Sequence, residues 1–164
     1  FISQEDDNQL LVKKVEMIPI KVMLWNFAAQ SLAKRLGLKE GTELESPVLE
    51  LYLKNSKLKE PMINDYHAFA LGLCDRSEMS AIVRITTKIN AVLKSYFARK
   101  NLQLLKFQLE FGRLNNQIIL ADEISPDVLD LWDVSDGNKP DKKSLNVSKE
   151  NAKDIYNKIK ERVL

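Results

Sequence analysis

The residues of this sequence best suited to chemistry are two acids on either side of a predicted turn. Leu105–Phe111 alternates apolar and polar side chains, Asn115–Asn116 supplies turn residues, and Ile118–Leu120 resumes an apolar strand. Antiparallel pairing about that turn places Glu110 within about one residue of the position opposite Asp122. The sequence therefore predicts two carboxylates that can approach each other at the end of a strand.

Two carboxylates at that distance repel each other unless a cation, a donor or a ligand meets them. A magnesium ion suits such a pair, because it takes oxygen ligands and is often shared between one or two carboxylates and the phosphates of a nucleotide. The alternative is that Glu110 and Asp122 point to solvent or pair with Lys106 and Arg113. Spacing alone leaves both interpretations open.

A third acid, Asp127, closes the run ADEISPD that follows the second strand. Ser125–Pro126 is an ordinary turn opener, so the local sequence favours a turn residue at Asp127. A ligand contact by Asp127 is the alternative.

The composition is that of a soluble globular protein of one domain. Of 164 residues, 45% are hydrophobic and 29% are charged, and the formal net charge of +2 gives no support for a nucleic-acid surface. No stretch has the length of a membrane span, and the start FISQEDDNQ is unlike a secretory signal. A single cysteine, Cys74, and a single histidine, His67, form neither a disulfide nor a zinc site. We therefore expect a cytoplasmic protein without nucleic-acid or membrane partners.

The elements that must position the acids alternate between strands and helices. Period-two patterns predict strands at Gln9–Val15, at Ile18–Trp25 and around Leu49–Leu53, with Pro19 at an edge or an irregular junction. Helical spacing and end signals predict helices over Ala28–Leu36 with Gly37 as the stop, over Asp65–Gly72, from a Ser77 cap to about Lys100, and from about Lys149 to Leu164. Residues 135–148 are predicted to form a loop. The predicted fold class is α+β, with an antiparallel-rich sheet and flanking helices.

Several longer motifs follow one another along the chain: VKKVEMIPIKV, NFAAQSLAKRLGLKEGTELESP, LYLKN, EPMIN, LEFG, LADEISPD and LWD. Together they resemble the SAICAR synthetase family, phosphoribosylaminoimidazole-succinocarboxamide synthase, over nearly the whole chain. The resemblance implies a two-lobed fold that holds a nucleotide between its lobes, as kinases and ATP-grasp enzymes do. It also implies that residues 1–164 form the C-terminal domain, with inter-lobe strands at 1–24 and a substrate- and metal-binding lobe at 25–164.

The activity that the resemblance implies is an ATP-dependent ligation in purine biosynthesis. The carboxylate of carboxyaminoimidazole ribotide is joined to the amino group of L-aspartate, with release of ADP and phosphate. Because a carboxylate is a poor electrophile, activation by phosphoryl transfer from ATP with Mg²⁺ is expected. The implied cofactors are ATP and Mg²⁺, and the implied partners are these small-molecule substrates, with formation of a homo-oligomer left open.

The resemblance also assigns roles to matching residues. The implied cofactor-binding residues are Lys13, Val15, Met17, Lys54, Glu110 and Asp122. Glu110 and Asp122 are also the implied metal ligands. The implied substrate-binding residues are Asn26, Ser31 and Asp127, of which Ser31 and Asp127 are the implied catalytic residues.

The sequence departs from the family pattern mainly on the substrate side. Trp25 stands where the pattern has arginine, Gln30 where it has glycine, Lys106 where it has aspartate and Gln108 where it has lysine. Three further arginines of the pattern are replaced by Asp130, Ser144 and Asn146. A carboxylate in place of a guanidinium reverses the main attraction for a phosphate.

The family's β-rich N-terminal lobe, with its YEGKAKxxY motif, is expected to precede the segment FISQEDDNQLLVKK. Without that lobe, water reaches the nucleotide and weakens every electrostatic contact with it. We therefore expect impaired activity in this chain alone. The alternative is a noncatalytic relative that keeps the fold as an interaction or structural module.

Overall fold

The computed structural model describes residues 1–6, 9–134 and 152–163. The elements follow in the order β1 (Ser3–Asp6), β2 (Gln9–Leu11), β3 (Glu16–Ala28), α1 (Gln30–Leu36), β4 (Thr42–Leu53), a 3₁₀ turn (Ser56–Leu58), β5 (Met62–Ile63), α2 (Asp65–Ala70), α3 (Arg76–Ala98), β6 (Leu102–Leu114), β7 (Gln117–Leu120), β8 (Leu129–Asp133) and α4 (Ala152–Val163). Strands β1 and β2 form a small sheet of their own.

The other six strands form one antiparallel sheet with β3 and β6 at its centre. The order is β5-β4-β3-β6, and the far edge of β6 is shared by two short strands. Strand β7 pairs with residues 111–114 of β6, whereas β8 pairs with residues 102–107. The predicted α+β class and the antiparallel sheet with flanking helices are confirmed.

Alternation along β3 and β6 gives the sheet two unlike faces. Val22 pairs with Leu109 and Leu24 with Phe107, and all four are buried. These residues share one apolar core with side chains of α3 and α4. Because successive side chains of a strand point to opposite faces, the residues between them lie on the other side of the sheet.

We name that other side the open face. The register of β3, β4 and β6 places on it Lys21, Met23, Trp25, Glu50, Tyr52, Lys106, Gln108 and Glu110. Helix α1 covers one end of the open face through a second apolar cluster, which includes Trp25, Phe27, Leu32, Leu105 and Trp132. The remainder of the open face carries polar and charged side chains.

Most of the predicted elements are present. The irregular junction at Pro19 is confirmed, because the β3–β6 register shifts between Met17 and Lys21. The first predicted strand ends at Leu11 and not at Val15. Strand β3 continues through residue 24, so the predicted division between 1–24 and 25–164 crosses a single strand.

The predicted cap of the long helix was wrong. Asp75, not Ser77, caps α3: the Asp75 side chain accepts from the Glu78 backbone N–H, and the Glu78 side chain accepts from the Asp75 backbone N–H. This reciprocal arrangement satisfies two helix-end donors at once, which explains why the helix begins two residues earlier.

Two predicted segments extend beyond the described residues. The loop at 135–148 lies outside them, as do residues 149–151 and 164 of the predicted last helix. Within the part that the structure describes, no helix is both long and apolar enough to cross a membrane.

The turn between β6 and β7 supplies a test of the hairpin register. Asn115 and Asn116 both have positive φ, 49° and 61°, as two-residue type I′ turns require. A β-branched residue in this conformation costs about 1–2 kcal/mol. We expect Asn116→Val to lower the free energy of unfolding by that amount in urea denaturation. The control is Gln117→Val, on the adjacent exposed strand position, and its free energy of unfolding should stay near that of the wild type. Equal stability of the two variants would contradict the assigned turn.

Candidate functional site

The edge of β6 is interrupted between β7 and β8, and the loop across this gap carries the predicted acids. We name residues 121–128 the edge loop. It leaves the sheet where the Ala121 N–H donates to the Glu110 carbonyl at 3.0 Å, and it returns where the Gln108 N–H donates to the Val128 carbonyl at 3.0 Å. The two ends of the loop are thus held two residues apart on β6. This is why an apolar strand runs directly into a group of carboxylates.

The predicted register of the hairpin is confirmed to within the stated residue. Phe111 pairs with Leu120, so Ala121 lies opposite Glu110 and Asp122 follows one residue later. Asp122 is exposed, and its Oδ1 accepts from the Glu123 backbone N–H at 2.8 Å. A cation shared by Glu110 and Asp122 stays a prediction.

Glu110 has a cationic partner that local sequence did not indicate. Its side chain is largely buried, with a residue exposure of 9%, and its carboxylate contacts the ammonium of Lys54. The alternative partners were Lys106 and Arg113, but Lys106 contacts Asp130, whereas Arg113 contacts glutamates of other elements. The structure therefore joins two of the predicted cofactor-binding residues, Lys54 and Glu110.

The segment that leads into β3 lies beside the same end of β6. Met17 pairs with Gly112, and the Val15 side chain packs so closely on Gly112 that a Cβ there would lie 2.5 Å from Val15 Cγ2. Lys13 is exposed in the connection between β2 and β3. Val15 and Met17 thus lie near Glu110 along β6, as the predicted cofactor-binding set requires.

At the other end of the open face, three residues form a cluster that we name the lysine cluster: Gln30, Lys106 and Asp130. Lys106 Nζ lies 3.1 Å from Asp130 Oδ2 and donates to Gln30 Oε1 at 3.0 Å. Gln30 Nε2 donates to the same Asp130 oxygen at 3.3 Å. The ammonium also lies 4.8 Å from the centroid of the Trp25 ring, a cation–π contact. Lys106 therefore contacts three other departures from the family pattern, Trp25, Gln30 and Asp130.

Glu50 is a site residue that the sequence analysis missed. It is buried, and it accepts from Trp25 Nε1 at 3.0 Å and from the Tyr52 hydroxyl at 2.8 Å. Its other oxygen contacts Arg35 of α1. Burial, followed by the hydrogen bond to Glu50, raises the pKa of the Tyr52 phenol. The period-two pattern predicted only a strand around Glu50, because two of its partners, Trp25 and Arg35, come from other elements, β3 and α1.

Asp127 lies in the edge loop between the two ends of the open face. Together with Met23 and Gln108 it lines a small cavity of about 60 Å³ that also borders the lysine cluster. The Tyr156 hydroxyl of α4 donates to the Asp127 carboxylate, and this hydrogen bond raises the pKa of Tyr156. Helical spacing had indicated only that Tyr156 lies in the last helix.

Asn26 and Ser31, the other predicted substrate-binding residues, are not brought together. Asn26 is 2% exposed, and its amide exchanges hydrogen bonds of 2.8 and 2.9 Å with the amide of Asn90 on α3. The structure thus places Asn26 between β3 and α3 and not on the open face. Ser31 is exposed in the first turn of α1, directly after Gln30.

The donor set limits the kind of metal site that fits. Among the described residues, no group of three or more His, Cys, Asp or Glu side chains is placed to hold a metal ion. A cation held by protein ligands alone therefore does not fit here. Mg²⁺ that arrives with nucleotide phosphates needs only one or two carboxylates. Glu110 on the open face and Asp122 in the edge loop therefore stay the predicted ligands.

Comparison with known proteins gives one consistent family. The family model for SAICAR synthetase matches residues 1–163. The phosphoribosylaminoimidazole-succinocarboxamide synthase of Clostridium novyi (strain NT) is 44% identical over 163 residues, which are 99% of this chain and 69% of that protein.

Solved structures agree with the sequence comparison. A SAICAR synthetase in complex with ADP has a TM-score of 0.83 at 43% identity, over 93% of this chain and 65% of that chain. The SAICAR synthetase of Pyrococcus horikoshii OT3 also has a TM-score of 0.83 at 43% identity, over 93% and 67%. The chain thus spans about two thirds of the length of these solved relatives.

The contact between Tyr156 and Asp127 predicts a pH dependence. Because the carboxylate stabilises the protonated phenol, the contact adds stability below the ordinary tyrosine pKa of about 10 and loses it as the pH rises further. We expect Asp127→Asn to shift the titration of Tyr156 back toward that value. Phenolate absorbance against pH measures the shift, and subtraction of the Tyr156→Phe spectrum identifies the residue. Identical Tyr156 titrations with and without the Asp127 carboxylate would contradict the contact.

Proposed function

The chain belongs to the SAICAR synthetase family, and we propose that its open face binds the nucleotide and substrate of an ATP-dependent ligase of purine biosynthesis. The proposed reaction joins carboxyaminoimidazole ribotide to L-aspartate and yields SAICAR, ADP and phosphate. It is supported by the position of Val15, Met17, Lys54 and Glu110 around one end of β6, beside the edge loop. The ADP bound to a structural relative supports the same assignment of a nucleotide site.

At the nucleotide end, we assign the adenine to the backbone of residues 15–17 and to Lys13. Glu110 and Asp122 are the proposed ligands of Mg²⁺, which when bound supplies neutralisation of charge on the transferring phosphoryl group. Lys54 neutralises Glu110 in the structure. With Mg²⁺ held by Glu110, the Lys54 ammonium would be free to contact a phosphate.

The length of the open face suits two ligands in line. Glu110 and Lys106 are four residues apart on β6, which at about 3.3 Å per residue separates them by about 13 Å. A nucleotide at the Glu110 end and a carboxylate substrate at the Lys106 end would therefore meet near Gln108. Asp127 borders that position.

Asp127 is the proposed base for the ligation step. An amine attacks only when its nitrogen is unprotonated, and a carboxylate beside it can accept its proton. Asp127 is exposed at the cavity, so the aspartate amine can reach it once the Tyr156 hydroxyl moves away. Ser31, exposed at the start of α1, is the proposed hydrogen-bond donor to the substrate.

A noncatalytic relative that keeps the fold as an interaction or structural module is the second candidate. It is favoured by the ion pairs along the open face: Lys21–Glu60, Arg35–Glu50, Lys54–Glu110 and Lys106–Asp130. In each of these pairs, a lysine or arginine side chain contacts a carboxylate of the same chain. The chain spans 69% of its relative from Clostridium novyi. Ligation of aspartate by the purified chain with ATP and ribotide would exclude this candidate.

The proposed nucleotide site is tested by titrating MgADP into the purified chain by calorimetry. Loss of a charge-assisted contact is worth about 1.5–3 kcal/mol, so we expect Glu110→Gln and Asp122→Asn to weaken binding by about tenfold or more. The effect should shrink when ADP is titrated without Mg²⁺.

The matched control is Glu123→Gln. Glu123 is exposed and follows Asp122 directly, so this variant removes the same charge from the same loop. We expect its MgADP affinity to equal that of the wild type. If Glu110→Gln and Asp122→Asn also bind MgADP as the wild type does, their assignment to the metal and nucleotide is wrong.

A further inference from the structure

Two lysines at the nucleotide end of the open face reach past each other. Lys21 lies on β3 directly between Tyr52 of β4 and Glu110 of β6. Its ammonium contacts Glu60, in the connection between β4 and β5, and lies 6.0 Å from the centroid of the Tyr52 ring. Lys54, which follows β4 directly, contacts Glu110. Lys21 therefore points outward over β4, whereas Lys54 points inward across β3.

This crossed arrangement gives one end of the face two ammonium groups. The Cβ atoms of cross-strand neighbours lie about 5 Å apart, so the Lys21 side chain starts beside the glutamate that Lys54 contacts. An ammonium has three N–H donors, and the two oxygens of one carboxylate engage at most two of them. A ligand with several anionic oxygens that lies over β3 can therefore be contacted by both lysines. Consecutive phosphates of a polyphosphate chain have this chemistry.

The ion pair between Lys21 and Glu60 can be replaced at little cost. The two side chains are 18% and 38% exposed, so the glutamate is the more accessible partner. Ion pairs in contact with water are weak, because water screens the attraction and hydrates each charge when the pair opens. The Glu60 carboxylate can therefore be hydrated when the Lys21 ammonium turns to a ligand.

Glu60 is held in position by its backbone. Lys59 and Glu60 have φ values of 56° and 48°, in the left-handed region that residues other than glycine rarely adopt. The Glu60 N–H donates to the Asn55 carbonyl at 3.1 Å, and the Asn55 side chain caps the 3₁₀ turn. Residues in such a conformation persist when their surroundings hold them there. Glu60 is therefore a fixed acceptor, which Lys21 has to leave when it contacts a ligand.

We propose that Lys21 is a phosphate-binding residue, and that Lys21 and Lys54 together bind consecutive phosphates of the nucleotide. In the ligand-free chain, Glu60 competes with these phosphates for the Lys21 ammonium. The inference rests on the proposed function for the identity of the ligand as a nucleotide. The position of its phosphates is inferred from the two ammonium groups. The inference adds to the nucleotide site a second lysine, whose affinity for phosphate depends on Glu60.

The test compares three probes, each titrated calorimetrically into the full chain: MgADP, adenosine, and inorganic pyrophosphate with Mg²⁺. Loss of one charge-assisted contact weakens binding about tenfold, so we expect Lys21→Gln to weaken MgADP and pyrophosphate binding by that factor. Adenosine carries no phosphate, and its affinity should stay unchanged. Glu60→Gln removes the competing carboxylate and should raise the affinity for MgADP about threefold.

Two further variants serve as controls. Lys21→Gln leaves the Glu60 carboxylate without Lys21, and this charge alone repels a phosphate. The double variant Lys21→Gln/Glu60→Gln removes that repulsion, so we expect it to bind MgADP about tenfold more weakly than Glu60→Gln does. Lys57→Gln removes one positive charge from an exposed residue of the same connection, and its affinities for all three probes should equal those of the wild type.

The inference is overturned if Lys21→Gln binds MgADP as the wild type does, or if the double variant binds it as Glu60→Gln does. It is also overturned if adenosine binding weakens by the same factor as MgADP binding. Lys21 would then act on the structure of the face and not on a phosphate.

Glu110→Gln in the same titrations reports separately on the proposed function. MgADP binding that depends on Glu110 but not on Lys21 overturns this inference alone. Pyrophosphate binding that depends on Lys21, without binding of MgADP, supports the phosphate site and overturns the assignment to a nucleotide. Absence of binding by all three probes overturns both proposals.

Discussion

The antiparallel ladder between β3 and β6 is the constraint on which the rest of the structure depends. Side chains alternate between faces along both strands, so Val22 and Leu109 in the core fix Lys21 and Glu110 on the open face. A slip of one residue would exchange the two faces and bury charge in place of leucine and valine. The apolar packing under α3 therefore sets the position of the charged groups that β3 and β6 place on the open face.

A second feature of β6 turns this face into a candidate site. Two short strands, β7 and β8, share its edge, and the edge loop spans the gap between them. Buried or half-buried charges require partners of opposite charge. Here the partners are side chains of the same chain, as in Lys54–Glu110 and Lys106–Asp130. The proposed ligands would have to replace one member of such a pair. The same ion pairs thus compensate the charges of the open face within the chain.

Local patterns in the sequence predicted part of this arrangement. The turn at Asn115–Asn116 fixes the hairpin register, and the position of Glu110 followed from it. The partners of the site residues could not be predicted in this way. Glu110 contacts Lys54, which is 56 positions away in the sequence, and Asn26 contacts Asn90, which is 64 positions away. Such contacts depend on how β4 and α3 pack against the central strands, which no short spacing in the sequence encodes.

The central claim is that a nucleotide binds on the open face, at the Glu110 end. Chemical-shift changes of assigned backbone amides on addition of MgADP test it directly. We expect the largest changes at Met17, at Lys54 and in the edge loop. Changes concentrated at Arg76 and Arg84, which line surface clefts at α3, with the open face unaffected, would contradict it.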